Sequence, residues 1–212
     1  MRSITKTIVI AASTVALCFG LAACGGGQAS SNDKAASNTS AASSEKTEPS
    51  AQEESNAVDF YMFKGEMPEG YALTGPNGNS SPLDIVEFRN IENADKIVDI
   101  EIDEGTAQEQ FDKAASKDKY TAGQDVKLGK YTWKTLDFTW NKQPSVVLYT
   151  DIAEGVYAEV TLYETTLDDT AVKSFLEGAE FTTDYSSAHK AGMDTTVEKF
   201  ASDNNLKVWE AK

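Results

Sequence analysis

The stretch Asp95-Lys96-Ile97-Val98-Asp99-Ile100-Glu101-Ile102-Asp103-Glu104-Gly105-Thr106-Ala107-Gln108-Glu109 decides the fold. Over Asp95–Asp103, Val98, Ile100 and Ile102 alternate with Asp99, Glu101 and Asp103. Period two places the branched apolar side chains on one face of a strand and the carboxylates on the other. Such a strand belongs to an antiparallel sheet with one face on a core and one toward water. Thr106-Ala107-Gln108-Glu109 then reads as a capping box, which satisfies two orphan N–H groups at a helix start. The predicted helix runs to about Asp118, with Ala107, Phe111, Ala114 and Ala115 along one stripe.

On the N-terminal side, Val58, Phe60 and Met62 alternate with Asp59, Tyr61 and Phe63, which predicts a first strand apolar on both faces. Met67-Pro68-Glu69-Gly70 is a turn, with proline presetting φ. Tyr71–Thr74 is a short second strand. Gly75 to Pro82 is dense in turn residues, and its Asn77-Gly78 pair favours a tight hairpin. Leu83–Asn90 is a third strand.

On the C-terminal side, strands are expected at about Asp125–Leu128, Tyr131–Trp140, Ser145–Asp151 and Val156–Tyr163, the last two joined through Ala153-Glu154-Gly155. Asp168 is expected to cap a second helix that buries Val172, Phe175 and Leu176 and stops at Gly178. Thr195-Thr196-Val197-Glu198 reads as another capping box, opening a short helix to about Asp203 that buries Val197 and Phe200. Leu206, Val208 and Trp209 add a last strand or an extended tail. The order β-β-β-β-α-β-β-β-β-α predicts an α+β fold with a mostly antiparallel sheet and two main helices.

The Met67-Pro68-Glu69-Gly70-Tyr71 turn, the helix from Thr106 and the closing hairpin and helix from Ser145 to Phe181 resemble the PsbP-like α/β/α sandwich. The resemblance covers about 58–181 and is mainly topological. It implies scaffold and binding roles more often than catalysis. The metal and docking positions of the photosystem II subunit cannot be placed on this chain.

The start of the chain carries a different signal. Arg2 and Lys6 precede an apolar run from Ile8 to Ala23, 16 residues long. That is shorter than the roughly 20 residues a membrane-spanning helix requires, so it reads as a signal segment. Leu21-Ala22-Ala23-Cys24 closes it and resembles the lipobox of bacterial lipoproteins. The resemblance implies cleavage between Ala23 and Cys24 and a diacylglycerol on Cys24, often with an acylated amino group as well. Two or three acyl chains hold firmly, at about 0.8 kcal/mol per buried methylene. Gly25 follows Cys24, so an Asp-type retention signal is absent.

Cys18 would leave with the leader, and the mature chain would then keep no free thiol, disulfide or cysteine metal site. Residues 25–57 hold no Val, Ile, Leu, Met or aromatic residue, the composition of a disordered tether spanning roughly 30 Å. The expected organisation is a cleaved signal peptide at 1–23, lipidated Cys24 and tether over 24–57, an α+β core over 58–185, and a C-terminal helix and extended tail over 186–212.

The chain carries a formal net charge of −15, and one arginine, Arg89, lies beyond the leader. A nucleic-acid partner needs a cationic surface and is disfavoured, as is direct docking on anionic headgroups. The acidity fits divalent cations or a basic partner; it also fits plain solubility.

Candidate chemistry is sparse. The sole histidine, His189, is expected in a loop beside Lys190. No G-x-S-x-G, H-E-x-x-H or P-loop pattern occurs. Asp99, Glu101 and Asp103 on one strand face are candidate ligands for a low-selectivity cation site. The stretch fails the EF-hand pattern, because its glycine falls one place late and Gln110 stands at the twelfth position. A solvated outer face is the competing reading and the one the sequence favours.

Tyr131 and Trp133 point opposite to Phe138 and Trp140 on one strand, so both sheet faces are covered there or a bulge near Leu136 switches register. Tyr149, Tyr157 and Tyr163 are expected in core or cross-strand packing. The reading is a lipid-anchored, extracytoplasmic lipoprotein of the cell membrane, without a cofactor or catalysis. It would bind the membrane through Cys24 and an envelope protein or glycan through its folded domain. A small-ligand or divalent-cation binding lipoprotein is the alternative, and an envelope hydrolase the second.

Overall fold

The computed structural model describes residues 57–211, which belong to one packed unit, Ala51–Lys212. The expected signal segment, Ala23, Cys24 and all but the last residue of the tether lie outside the described residues. The elements in chain order are β1 (Val58–Asp59), β2 (Phe63–Gly65), β3 (Tyr71–Thr74), β4 (Val86–Asn90) and β5 (Ile97–Glu104), followed by α1 (Ala107–Ala115). Next come β6 (Thr121–Ala122), β7 (Val126–Leu128), β8 (Tyr131–Trp140), β9 (Gln143–Ala153) and β10 (Val156–Tyr163). The chain closes with α2 (Thr170–Gly178), β11 (Glu180–Phe181), α3 (Tyr185–Met193) and α4 (Val197–Asp203).

The fold is α+β with a large antiparallel sheet. The main sheet runs β3-β4-β5-β10-β9-β8-β6, with β7 also on β8, and every ladder in it is antiparallel. A small sheet, β1-β2-β11, lies apart from it in the pairing order. As the alternation predicts, Val98, Ile100 and Ile102 enter the main core. They share that core with Phe63 of the small sheet and Phe60 of the turn before it, Phe175 and Leu176 from α2, and Phe200 from α4. Each fully buried side chain of this kind contributes about 1.5–3 kcal/mol by leaving water. The sheet's opposite face carries a second cluster, in which Ala107 and Ala114 of α1 cover Leu136, Val147, Tyr149 and Tyr157.

Both faces of β8 are therefore covered. Trp133 lies in the main cluster and Phe138 in the second, and the β8–β9 register runs from Lys134 to Trp140 without a bulge. Thr106 caps α1 by accepting from the Glu109 N–H.

Several boundaries differ from the sequence reading. The first strand is broken, because Tyr61 adopts φ 68° and β1 turns back on β2. The Asp59 carboxylate accepts from the Tyr61 N–H and Phe63 O from the Phe60 N–H, and this turn buries Phe60, Met62 and Phe63 together. Asn77-Gly78 does not make a tight hairpin. It sits in successive turns, with Gly78 N–H to Gly75 O and Ser81 N–H to Gly78 O, within a longer β3–β4 connection.

The α2 cap is Asp169, one residue beyond Asp168. Asp169 is held by long-range partners, accepting from the Tyr71 hydroxyl at 3.2 Å and lying 3.7 Å from Lys96 Nζ. The α4 cap is Thr196 rather than Thr195, whose carbonyl accepts from the Leu83 N–H. His189 stands in α3, stacked on Tyr185 at 5.3 Å, and not in a loop. Leu206–Trp209 is an extended tail with a single parallel bridge to β3, Leu73 exchanging hydrogen bonds with Lys207 and Trp209. Residues beyond 185 join the main core through Ala188, Val197, Phe200 and Ala201.

Candidate functional site

The strand registers bring a group of acidic side chains onto the outer face of the main sheet. On β5, Asp99 and Glu101 point away from the core. Glu87 of β4 lies directly opposite Asp99, and Glu159 of β10 directly opposite Glu101. Opposed residues in an antiparallel pair stand about 5 Å apart, close enough for like charges to repel. Asp103 lies opposite Tyr157 at the end of the row and accepts from the Tyr185 hydroxyl at 3.1 Å.

Asp103 is exposed, as a solvated outer face predicts, but Asp99 and Glu101 are half-buried. Burial removes hydration from the carboxylates, and their neighbours share the same sign. Burial, with Glu87, Glu101 and Glu159 adding repulsion, raises the Asp99 carboxyl to about 7. Burial, with Glu101 adding repulsion, raises Glu159 to about 7, against the lowering effects of Tyr149, Thr161 and Lys117. Glu101 is raised by burial and then by Asp103 and Asp84. Asp99 Oδ1 is buried with no hydrogen-bond partner.

Counter-charge is thin. Arg89 Nη2 reaches Glu87 Oε1 at 2.8 Å, and Lys117 acts on Glu159. The Arg89 guanidinium also lies 4.7 Å over the Trp209 ring.

Tyrosines edge the acidic group. Tyr149 and Tyr157 are buried in the second cluster, as expected, and Tyr163 packs against it half-exposed. Tyr163 is pushed up to about 12 by burial and by Asp99. Its ring meets Trp140 at 5.3 Å and Phe138 at 6.0 Å, both edge-on. Trp140 is 46 % exposed, one of two large apolar side chains so exposed among the described residues.

The structure brings Asp99 and Glu101 together with Glu87 and Glu159, two residues the sequence reading did not single out. Glu87 alternates with Val86 and Phe88, and Glu159 with Ala158 and Val160, but the pairing of β10 with β5 is long-range and has no local signature. Among the described residues, no group of three or more His, Cys, Asp or Glu is arranged to hold a metal ion. The surface also carries shallow clefts, two of them bordered by Trp209. One of about 600 Å³ runs beside Lys64, Met67, Pro68, Ser174 and Phe175; one of about 660 Å³ lies between Ala72, Ile91, Ala94, Val208 and Trp209. No described helix is long and apolar enough to cross a membrane.

No protein-family model matches the chain, and no curated protein matches it. The solved structures similar to it include the following two. The solution structure of cyanobacterial PsbP (CyanoP) from Synechocystis sp. PCC 6803 is 14% identical, with a TM-score of 0.37, over 59% of this chain and 90% of that one. A crystal structure from Bacteroides thetaiotaomicron VPI-5482 is 13% identical, with a TM-score of 0.35, over 58% of this chain. This chain spans only 46% of the length of the Bacteroides chain. The α+β assignment rests on the chain's own sheet and helices.

Proposed function

We propose that the protein is a lipid-anchored, extracytoplasmic lipoprotein whose folded domain is a non-catalytic binding module of the cell envelope. The anchor is read from Leu21-Ala22-Ala23-Cys24 and the basic-then-apolar segment before it. The observation that carries the binding role is the outer sheet face. There Asp99 keeps a buried, unpartnered oxygen beside Glu87, Glu101 and Glu159, and exposed Trp140 packs on Tyr163 at the edge of the same face. A domain that only had to be soluble would turn such carboxylates fully into water. Here they are held half out of it, at a cost that a complementary partner would offset. The sole histidine stacks on Tyr185 and supplies no nucleophile–base pair of the hydrolase kind.

The test is made on the full chain in a bacterial host fed a labelled fatty acid. Wild type carries label and fractionates with membranes, whereas Cys24→Ser carries none and leaves them. Cross-linking then compares envelope proteins captured by wild type with those captured by an unrelated acidic lipoprotein. An unlabelled wild-type chain sinks the anchor. Identical capture profiles sink the binding role.

A further inference from the structure

The outer sheet face has two halves. Over β8, β9 and the Tyr157 end of β10 it is closed by α1, while Glu159 and Tyr163 of β10 stay half-exposed. Over β4 and β5 its side chains belong to neither apolar cluster, and there a stripe crosses the strands. Arg89 of β4 pairs with Ile97 of β5, and Ile97 with Tyr163 of β10. Trp209 stacks on Arg89 at one end and Trp140 meets Tyr163 at the other. Arg89, Ile97, Tyr163 and Trp209 are all half-exposed. Beside this apolar stripe runs the row Glu87–Asp99, and beyond it Glu101–Glu159.

The face therefore offers aromatic contact and negative charge in adjacent rows about 7 Å apart along the strands. Its own cations show how such a surface is used. Arg89 sits between the Trp209 ring and the Glu87 carboxylate. Lys119 Nζ lies 4.6 Å over Tyr120, which in turn meets Phe138 edge-on. Both cations are stabilised by the aromatic face beneath them, and Arg89 by the Glu87 carboxylate as well.

The charges facing this region are Glu87 and Arg89 from β4, Asp99, Glu101 and Asp103 from β5, and Glu159 from β10. Asp84 precedes β4, Lys117 and Lys119 follow α1, and Tyr185 reaches in from α3. Acidic groups outnumber basic ones, and Asp99 Oδ1 has no partner. A neutral glycan would leave that repulsion in place. A cation relieves it.

We propose that the half of the outer face carried by β4, β5 and the Tyr163–Trp140 edge docks an extended, lysine- or arginine-bearing segment of a protein partner. This rests on the binding role argued above and names the class of partner. The apolar part of the segment lies along Ile97, Tyr163 and Trp140, and its basic side chains reach the half-exposed Glu101 and Glu159, beside the buried Asp99 Oδ1.

The probe is an eight-residue peptide of alternating lysine and valine, titrated calorimetrically into the full chain in neutral detergent. A glutamate–valine peptide, spermine and a neutral hexasaccharide serve as competitors. The lysine–valine peptide is expected to bind. Trp140→Ala, at an exposed side chain, and Glu159→Gln, at a half-buried one, should each weaken it tenfold or more. Lys173→Ala, on α2, should leave it unchanged. Binding at pH 7 should release protons, seen as a heat that varies with the buffer's ionisation enthalpy.

Unweakened binding by both variants overturns the proposal. So does absence of peptide binding, tighter binding of the hexasaccharide, or spermine binding as tightly as the peptide. A chain that captures an envelope protein yet ignores the lysine–valine peptide retains its binding role and loses this inference.

Discussion

Asp99→Asn should stabilise the protein, and only where Asp99 is charged. In the folded chain its carboxyl titrates at about 7 rather than at the ordinary 3.8, chiefly because burial strips its hydration and then because Glu87, Glu101 and Glu159 surround it. A raised carboxyl means that the folded state binds the proton more tightly than the unfolded chain does. Stability from this group is fully present below about pH 4, is lost as pH rises toward 7, and stays lost above. A shift of about three units corresponds to about 4 kcal/mol as a ceiling, at 1.36 kcal/mol per unit.

Relaxation of the neighbouring carboxylates cuts that effect, so about 2 kcal/mol at pH 8 is expected for the substitution. The assay is urea unfolding of wild type and variant from pH 4.5 to pH 8.5. At an m-value of about 2 kcal/mol per molar, the midpoint difference should grow from near zero to about 1 M. Measuring the difference between the two proteins cancels every other titrating group. An equal gain at pH 4.5 and pH 8 would refute the electrostatic reasoning. A variant less stable than wild type at pH 8 would show that Asp99 is satisfied by something other than its proton.

Gly129→Ala should cost about 2 kcal/mol or more, because φ is +56° there and a new Cβ would press on the Glu177 carbonyl; a lowered thermal midpoint checks it. Thr106→Ala should cost about 1 kcal/mol through loss of the hydrogen bond from the Glu109 N–H, read as an earlier urea midpoint. Removal of residues 206–212 uncovers the edge of β3, freeing the Leu73 N–H and carbonyl. Sedimentation should then show concentration-dependent association, and a strictly monomeric truncated chain would contradict the extended tail's role as an edge cover.

Most elements were legible because their signals are local. The β5 alternation, the Thr106 cap and the ranges of β8 and β10 follow from side-chain period and capping chemistry within a few residues. The misplacements share one cause: a distant partner chose between adjacent residues. Asp168 and Asp169 are equivalent caps in sequence, and Tyr71 and Lys96 select Asp169. Thr195 and Thr196 compete likewise, and Leu83 engages the Thr195 carbonyl. Helix α3 was missed because Tyr185–Met193 carries little apolar periodicity; Ala188 and Gly192 are its buried residues.

The candidate face divides in the same way. Alternation alone determined that Asp99, Glu101 and Asp103 share one side of a strand and that Val98, Ile100 and Ile102 share the other. It determined the class of fold as well, because a half-buried strand beside a capped helix needs an antiparallel sheet and a second layer. Only the tertiary structure decided what stands across from the carboxylates. The β4–β5 and β10–β5 registers place Glu87 and Glu159 against Asp99 and Glu101 and close α1 over one half of the face alone. Pairing between strands so far apart in sequence is set by the joint burial of their apolar faces. It is therefore invisible to any local pattern, and it turns a row of ordinary acidic residues into a crowded, half-dry surface with a proton to exchange.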